Sequence, residues 1–174
     1  FPTRRSSDLG GTSVDISVIK NGKVMIKYAQ VGGHKTYLQS LDVRTLGVAG
    51  GSMVRVNGGK IADIGPRSAH IAGKEYECFQ RDGELDGSEV LFVSPRKDDP
   101  KEYVLVKNPA GREYSLTLAG AANLLGYIPE GDYASGSTQT TKAAWDALGT
   151  YLGCTGEEAA RQTMDLAMDK LAAV

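Results

Sequence analysis

The stretch Asp8-Leu9-Gly10-Gly11-Thr12-Ser13-Val14-Asp15 brings two carboxylates, two hydroxyls and a glycine pair into eight residues. Adjacent glycines can take backbone conformations closed to other residues. A bend built on them can aim several N–H groups at one point, a concavity that suits a phosphate oxygen. Thr12 and Ser13 add hydroxyls that can donate to phosphate or meet a hydrated metal. Near a nucleotide, Asp8 and Asp15 suit Mg²⁺ or its bound water better than they suit phosphate itself. The same local pattern also describes a glycine-containing hairpin turn without a ligand. It is neither a Walker A loop nor a dinucleotide fingerprint, because the Gly-Lys-Ser/Thr ending and the G-x-G-x-x-G spacing are both missing. A second small-residue run, Gly47-Val48-Ala49-Gly50-Gly51-Ser52, lets backbone approach backbone or a ligand closely.

These bends need strands to hold them. Residues 9–20 read as a strand, with Asp15, Ser17 and Ile19 on one face and Val14, Ile16 and Val18 on the other. Asn21-Gly22 is a hairpin signal, and Lys23 to Val31 reads as its return strand. Tyr37-Leu38 and Val43 mark short extended pieces. Ser52 to Val56 and Ile61 to Ile64 form a further hairpin around Asn57-Gly58-Gly59-Lys60, which Gly65-Pro66 ends. Glu89 to Ser94, Tyr103 to Lys107 and Glu113 to Leu118 are short strands within a polar region, 74–118, that reads as a small inserted subdomain.

The last third changes period. Leu118 to Leu125 reads as a short helix. Thr140 to Leu152 reads as a longer one, with Ala143, Ala144, Ala147, Leu148 and Tyr151 on its apolar face and Trp145 as a packing residue. Thr155 and Glu158 form a capping-box pattern ahead of a third helix, Ala159 to Leu171. Strands first and helices last give an α/β or α+β domain.

Composition excludes several classes. Twenty basic and 21 acidic residues leave the 174-residue chain at −1, so it offers no electrostatic case for nucleic acid. Cys78 and Cys154, far apart, suit neither a disulfide-rich module nor a four-cysteine zinc site. No run of 18 apolar residues marks a membrane span. His34 and His70 are the only histidines and form no metal-binding pattern. Ser68 and His70 lack a third orienting group for nucleophilic catalysis. Arg67 is a candidate for an anionic partner. Phe1 to Ser7 has no initiator methionine and no apolar period, and it resembles a translated adapter sequence. It is treated as a non-native leader. That resemblance runs on through Asp8 and Leu9, so Asp8 is either native or accidental.

Taken together, Asp8 to Asp15, Leu41-Asp42-Val43-Arg44-Thr45-Leu46 running into Gly47–Ser52, Gly58-Gly59-Lys60-Ile61 and Gly65-Pro66-Arg67-Ser68-Ala69 resemble the hydantoinase/oxoprolinase family. The likeness is to the central region of its HyuA-type subunit and covers roughly residues 8–174. Tyr114-Ser115-Leu116-Thr117 and Ala121-Ala122-Asn123 extend it. After Ala69 this sequence departs from the commoner pattern, which removes any basis for treating Cys78 as a nucleophile.

The resemblance implies an α/β fold of the RNase H-like, actin-like ATPase type: one lobe with a mixed β-sheet, β-hairpins and C-terminal helices. It implies ATP and Mg²⁺ as cofactors and a cyclic amide as substrate. Gly10, Gly11, Thr12 and Ser13 become the phosphate-binding turn, and Gly47, Gly50, Gly51 and Ser52 a second cofactor-facing turn. Asp8 is placed near metal and attacking water, and Asp15 in a catalytic or supporting position beside it. The family's other phosphate motif and its downstream nucleotide segment are not in this sequence. The resemblance therefore implies a fragment, inactive alone, whose partners are the remaining lobe of the same subunit and a HyuB-type subunit. Activities in the family include ring-opening amide hydrolysis and ATP-dependent carboxylation; a non-catalytic nucleotide-binding module is the third alternative. ATP use and the lack of a visible export signal imply a cytoplasmic location.

Overall fold

The structure, a computed structural model, describes residues 4–174, with side chains from residue 10 onward. Three sheets precede three helices. In the first sheet β2 (Val14–Lys20) is central. It pairs antiparallel with β1 (Arg4–Leu9) along one edge, and with β3 (Lys23–Val24) and β6 (Val43–Leu46) along the other. The strand read over 9–20 is thus interrupted by the bend at 10–13. The leader read over residues 1–7 lies in part outside the described residues; its last part, from Arg4, is strand. Asn21, at φ 52°, and Gly22, at φ 74°, make the left-handed turn after β2.

The return strand breaks at Met25. Beyond it β4 (Ile26–Val31) and β5 (His34–Leu41) form a separate two-stranded ribbon. Ile26, Tyr28, Val31, Tyr37, Leu38 and Leu41 are all exposed there.

The second sheet carries the core. Its order is β8 (Lys60–Ser68), β7 (Ser52–Asn57), β11 (Tyr103–Lys107), β12 (Glu113–Ser115) and β9 (Glu75–Tyr76), with β10 (Glu89–Val93) also on β11. All pairs are antiparallel except β9 with β12. Region 74–118 therefore supplies four strands of this sheet. Strand β8 does not stop at Gly65-Pro66: the register shifts between the Val54–Ile64 and Ser52–Ser68 pairs, and the bulge accommodates a proline that has no N–H to donate.

The sheet is buried on both faces. Val54, Val56, Val104, Val106 and Leu116 pack under the helices, while Met53, Tyr103 and Leu105 pack on the other side. Double burial explains why Tyr103-Val104-Leu105-Val106 is a continuous apolar run without alternation.

Helices α1 (Leu118–Leu124), α2 (Thr138–Leu152) and α3 (Gly156–Ala172) cover the first of these faces. The capping box at Thr155 and Glu158 forms as the sequence indicates. Lys170 fastens α3 to the sheet by donating to Ile64 O at 3.0 Å and by pairing with Asp63. Among the described residues no helix is long and apolar enough to cross a membrane.

One polar group sits inside this packing. Glu77, in a 3-10 turn over Glu77–Phe79, is fully buried. Its carboxylate accepts from Thr117 N at 3.2 Å, Thr117 Oγ1 at 3.0 Å and Trp145 Nε1 at 3.0 Å. It thereby ties the turn to the β12–α1 junction and to α2. Trp145 packs as expected, and its buried indole N–H finds the partner it needs. A side chain at position 120 would run into the Glu77 carboxylate, so Gly120 is required for the approach.

Burial raises the Glu77 pKa from its ordinary 4.5 to about 7, against the opposing pull of the Thr117 and Trp145 hydrogen bonds. The folded state then holds this proton more tightly than the unfolded chain. The contribution of Glu77 to stability is fully present below pH 4.5 and is lost as pH rises toward 7 and beyond, by roughly 3 kcal/mol. Urea unfolding at pH 5 and pH 8 is expected to show this loss in the native sequence and a much flatter profile in Glu77→Gln. Gly120→Ala is expected to destabilise by about 3 kcal/mol through overpacking, measured the same way.

Candidate functional site

The first bend joins β1 to β2. Leu9 and Val14 are the last pair of the ladder, and Gly10 N–H donates to Ser13 O at 2.9 Å. Neither Gly10 nor Gly11 takes a left-handed conformation, so the special backbone expected of this pair is not used. What the glycines provide is room. A β-carbon at Gly11 would meet nothing within 4 Å. Gly10 and Gly11 are exposed, and Thr12 and Ser13 half-buried. Among the described residues, the N–H groups of Gly11, Thr12 and Ser13 have no hydrogen-bond partner. Three successive donors at an open bend suit an anionic oxygen.

The register sets Asp8 directly opposite Asp15, and Asp15 opposite Thr45. Thr45 Oγ1 donates to Asp15 Oδ1. The Asp8 side chain lies outside the described residues. Among the described residues no group of three metal-ligating side chains occurs.

The second bend is built differently. Ala49 N–H donates to Ser52 Oγ at 2.9 Å, Ser52 N–H to Ala49 O at 2.9 Å and Gly51 N–H to Gly11 O at 3.2 Å. Gly50 O accepts from Ala119 N at 2.8 Å, and Gly51 O from Ala69 N at 2.9 Å. These groups already bond to protein. Gly47 is pressed from behind, its would-be β-carbon 2.7 Å from Pro66 Cβ. At Gly51 a β-carbon would lie 2.7 Å from Gly11 O and would overlap the Tyr76 hydroxyl. Only Gly50 is exposed among Gly50, Gly51 and Ser52. The two bends therefore meet through Gly51 and Gly11. Among the described residues the Gly47, Val48 and Gly50 N–H groups have no hydrogen-bond partner either, but of these three residues only Gly50 is exposed, so the second bend backs the first and presents one exposed donor of its own.

Other sequence candidates are placed elsewhere. Ser68 is buried while His70 is exposed, and no hydrogen bond joins them. Arg67 is held by Asp99 through Nε at 2.9 Å and Nη2 at 2.7 Å, so its guanidinium already has an anion. Burial, reinforced by the neighbouring Glu77 charge, pushes the Cys78 thiol far above its ordinary range, which leaves it an inert core group.

The contrast between the bends gives a direct stability test. Gly11→Ala is expected to change stability by less than about 0.5 kcal/mol, as at an open surface position. Gly51→Ala is expected to lower it by about 2 kcal/mol, because Tyr76 and Gly11 must move. Paired urea titrations at one pH distinguish the two.

No curated protein matches the chain. Solved structures that share its fold include a nucleotide-free acetone carboxylase from work on ATP-dependent acetone carboxylation, and an ATP-dependent caprolactamase from Pseudomonas jessenii. The first is 22% identical with a TM-score of 0.61, and the second 24% identical with a TM-score of 0.60. Each match covers 95% of this chain and 20% of the solved one, so the chain spans a fifth of the length of these neighbours. The hydantoinase/oxoprolinase family model matches residues 6–174, from β1 through both bends to the end of α3, and the chain belongs to that family.

Proposed function

We infer that this chain supplies the phosphate-facing part of a longer ATP-dependent enzyme that opens cyclic amides, of the hydantoinase or 5-oxoprolinase kind. The observation that carries the reading is the row of N–H groups at Gly11, Thr12 and Ser13 that have no partner among the described residues, braced by the Gly51–Gly11 hydrogen bond. Support comes also from a family neighbour whose name states ATP-dependent caprolactam chemistry.

The residues fit a nucleoside triphosphate. Gly11 leaves space for a phosphate to approach the backbone, and the Thr12 and Ser13 hydroxyls flank the same bend. Asp8 and Asp15, facing each other across the ladder, would share Mg²⁺ through its water shell. Thr45 holds the Asp15 carboxylate in one orientation for that task. ATP, when bound, supplies the phosphoryl group that activates a poorly electrophilic amide carbonyl toward water. The backbone donors of the first bend hold charge on phosphoryl oxygens in fixed positions, and such a donor is worth about 3 kcal/mol where charge develops. The braced second bend keeps those donors from drifting. In this reading the remaining lobe and a HyuB-type subunit complete the site, the enzyme works in the cytoplasm, and the chain alone does not turn over substrate.

A second reading has its own observation. The acetone carboxylase neighbour matches the fold equally well, so the same bends can serve an enzyme that activates bicarbonate or a ketone.

Amide chemical shifts in an ¹⁵N-labelled chain test the site. Addition of MgATP is expected to move Gly11, Thr12 and Ser13 and leave Asn57–Lys60 unmoved. Gly11→Asp is expected to weaken MgATP about tenfold or more by placing a like charge beside phosphate. Shifts confined to other regions would remove the assignment. In a longer enzyme carrying this region, ADP formation that depends on a lactam and not on bicarbonate selects hydrolysis; the converse selects carboxylation.

A further inference from the structure

Three oxygens converge on the α-carbon of Gly51. A β-carbon there would lie 2.7 Å from Gly11 O and 3.0 Å from Ser68 Oγ, and would overlap the Tyr76 hydroxyl. Gly11 O is already satisfied by Gly51 N–H. Ser68 is not satisfied: the residue is 2% exposed and its Oγ has no hydrogen-bond partner of acceptable geometry.

Tyr76 is held firmly. Its ring stacks on Phe79 with centroids 5.6 Å apart, and its carbonyl accepts from Gln80 Nε2 at 2.7 Å. Its strand, β9, pairs with β12, and the next residue is the buried Glu77. A ring fixed in this way drives its hydroxyl end against the joint between the two bends.

Resting on the phosphate reading above, the geometry points to Tyr76, with Ser68 beside it, as the positioning residue that sets the spacing of the two bends and so the affinity of Gly11–Ser13 for a polyphosphate. The tyrosine acts through Gly51. Its hydroxyl fills the space into which Gly51 would otherwise retreat, which keeps the Gly51 N–H on Gly11 O and holds the first bend in one shape. Donors held in place before the ligand arrives bind it more tightly, because no ordering remains to be done. The buried Ser68 hydroxyl and the Tyr76 hydroxyl crowd the same face of Gly51, so the two oxygens act on that α-carbon together.

Tyr76→Phe keeps the ring and its stacking and removes only the hydroxyl; Ser68→Ala removes its neighbour. In the ligand-free chain, hydrogen exchange at the Gly51 amide is expected to rise about tenfold in Tyr76→Phe, with Val104 and Leu105 amides unchanged. Tripolyphosphate and MgATP are expected to bind about fivefold more weakly, with adenosine unaffected, because only phosphate meets the bend. Ser68→Ala is expected to act in the same direction and less than additively with Tyr76→Phe. Unchanged Gly51 exchange in both variants overturns the positioning role. So does a uniform rise in core exchange with equal weakening of adenosine and polyphosphate, which marks a general structural defect. If the unaltered chain binds neither polyphosphate nor MgATP, the phosphate reading and the affinity claim fall together, while Gly51 exchange still decides whether Tyr76 couples the bends.

Discussion

The buried Glu77 carboxylate is the constraint on which the rest of the structure depends. An acid without partners in an apolar interior would be very unfavourable. Here three donors reach it from two directions: the N-cap residue of α1 and the indole of α2. Meeting those donors fixes where the 3-10 turn sits against both helices. Tyr76 immediately precedes Glu77, so the same anchoring fixes the tyrosine. Through Tyr76 it reaches Gly51, and through Gly51 the first bend. A polar contact deep in the helical layer is thus linked by packing to an open bend in a different sheet. Breaking one partner away from such a group is more damaging than replacing the whole cluster with apolar side chains, because a buried polar group is left without its hydrogen bonds.

Much of the fold was legible in the sequence wherever one physical rule governed a segment. Tyr103 to Lys107 has the predicted bounds because a continuous β-branched and aromatic run has no good alternative when both faces are buried. The capping box at Thr155 and Glu158 marked the third helix because its signal is wholly local. The mixed α/β arrangement with C-terminal helices followed from the change of period. Failures arose where long-range contacts override local rules. Gly65-Pro66 reads as a strand end, yet the partner strand absorbs it in a bulge. Glu77 reads as an ordinary polar residue in an irregular stretch. Nothing local shows that Thr117 and Trp145 will meet it, although an acid set between Tyr76 and Cys78 is the one hint available.

The candidate site was legible as composition but not as a division of labour. Both bends show glycines among small residues, and sequence treats them as equals. The structure separates them by what lies against them. At 47–52 the Ala49, Gly51 and Ser52 N–H groups bond to protein, and Gly47 and Gly51 serve close packing against Pro66 and Tyr76. At 10–13 the N–H groups of Gly11, Thr12 and Ser13 have no partner among the described residues, and a β-carbon on Gly11 would meet no described atom within 4 Å. Gly51 is needed because protein fills the space beside it, whereas a β-carbon at Gly11 would meet no described atom. No single-sequence rule distinguishes those cases, because both remove a β-carbon.

The same contrast bears on the proposed phosphate role. A phosphate cradle must be open to its ligand and yet rigid, and an isolated hairpin tip is only the first of these. Strand β2 shows the difficulty: apart from Val14 its residues are only partly covered, so the first sheet gives the bend little support from below. Rigidity has to come from outside the hairpin. The second sheet provides it, since it is buried on both faces and continues directly from the second bend into β7. One hydrogen bond, Gly51 N–H to Gly11 O, ties the first bend to that sheet. The bend is thus exposed and yet braced from a doubly buried sheet, the combination that the proposed phosphate role calls for, since charge on a phosphoryl group is best met by dipoles already in place.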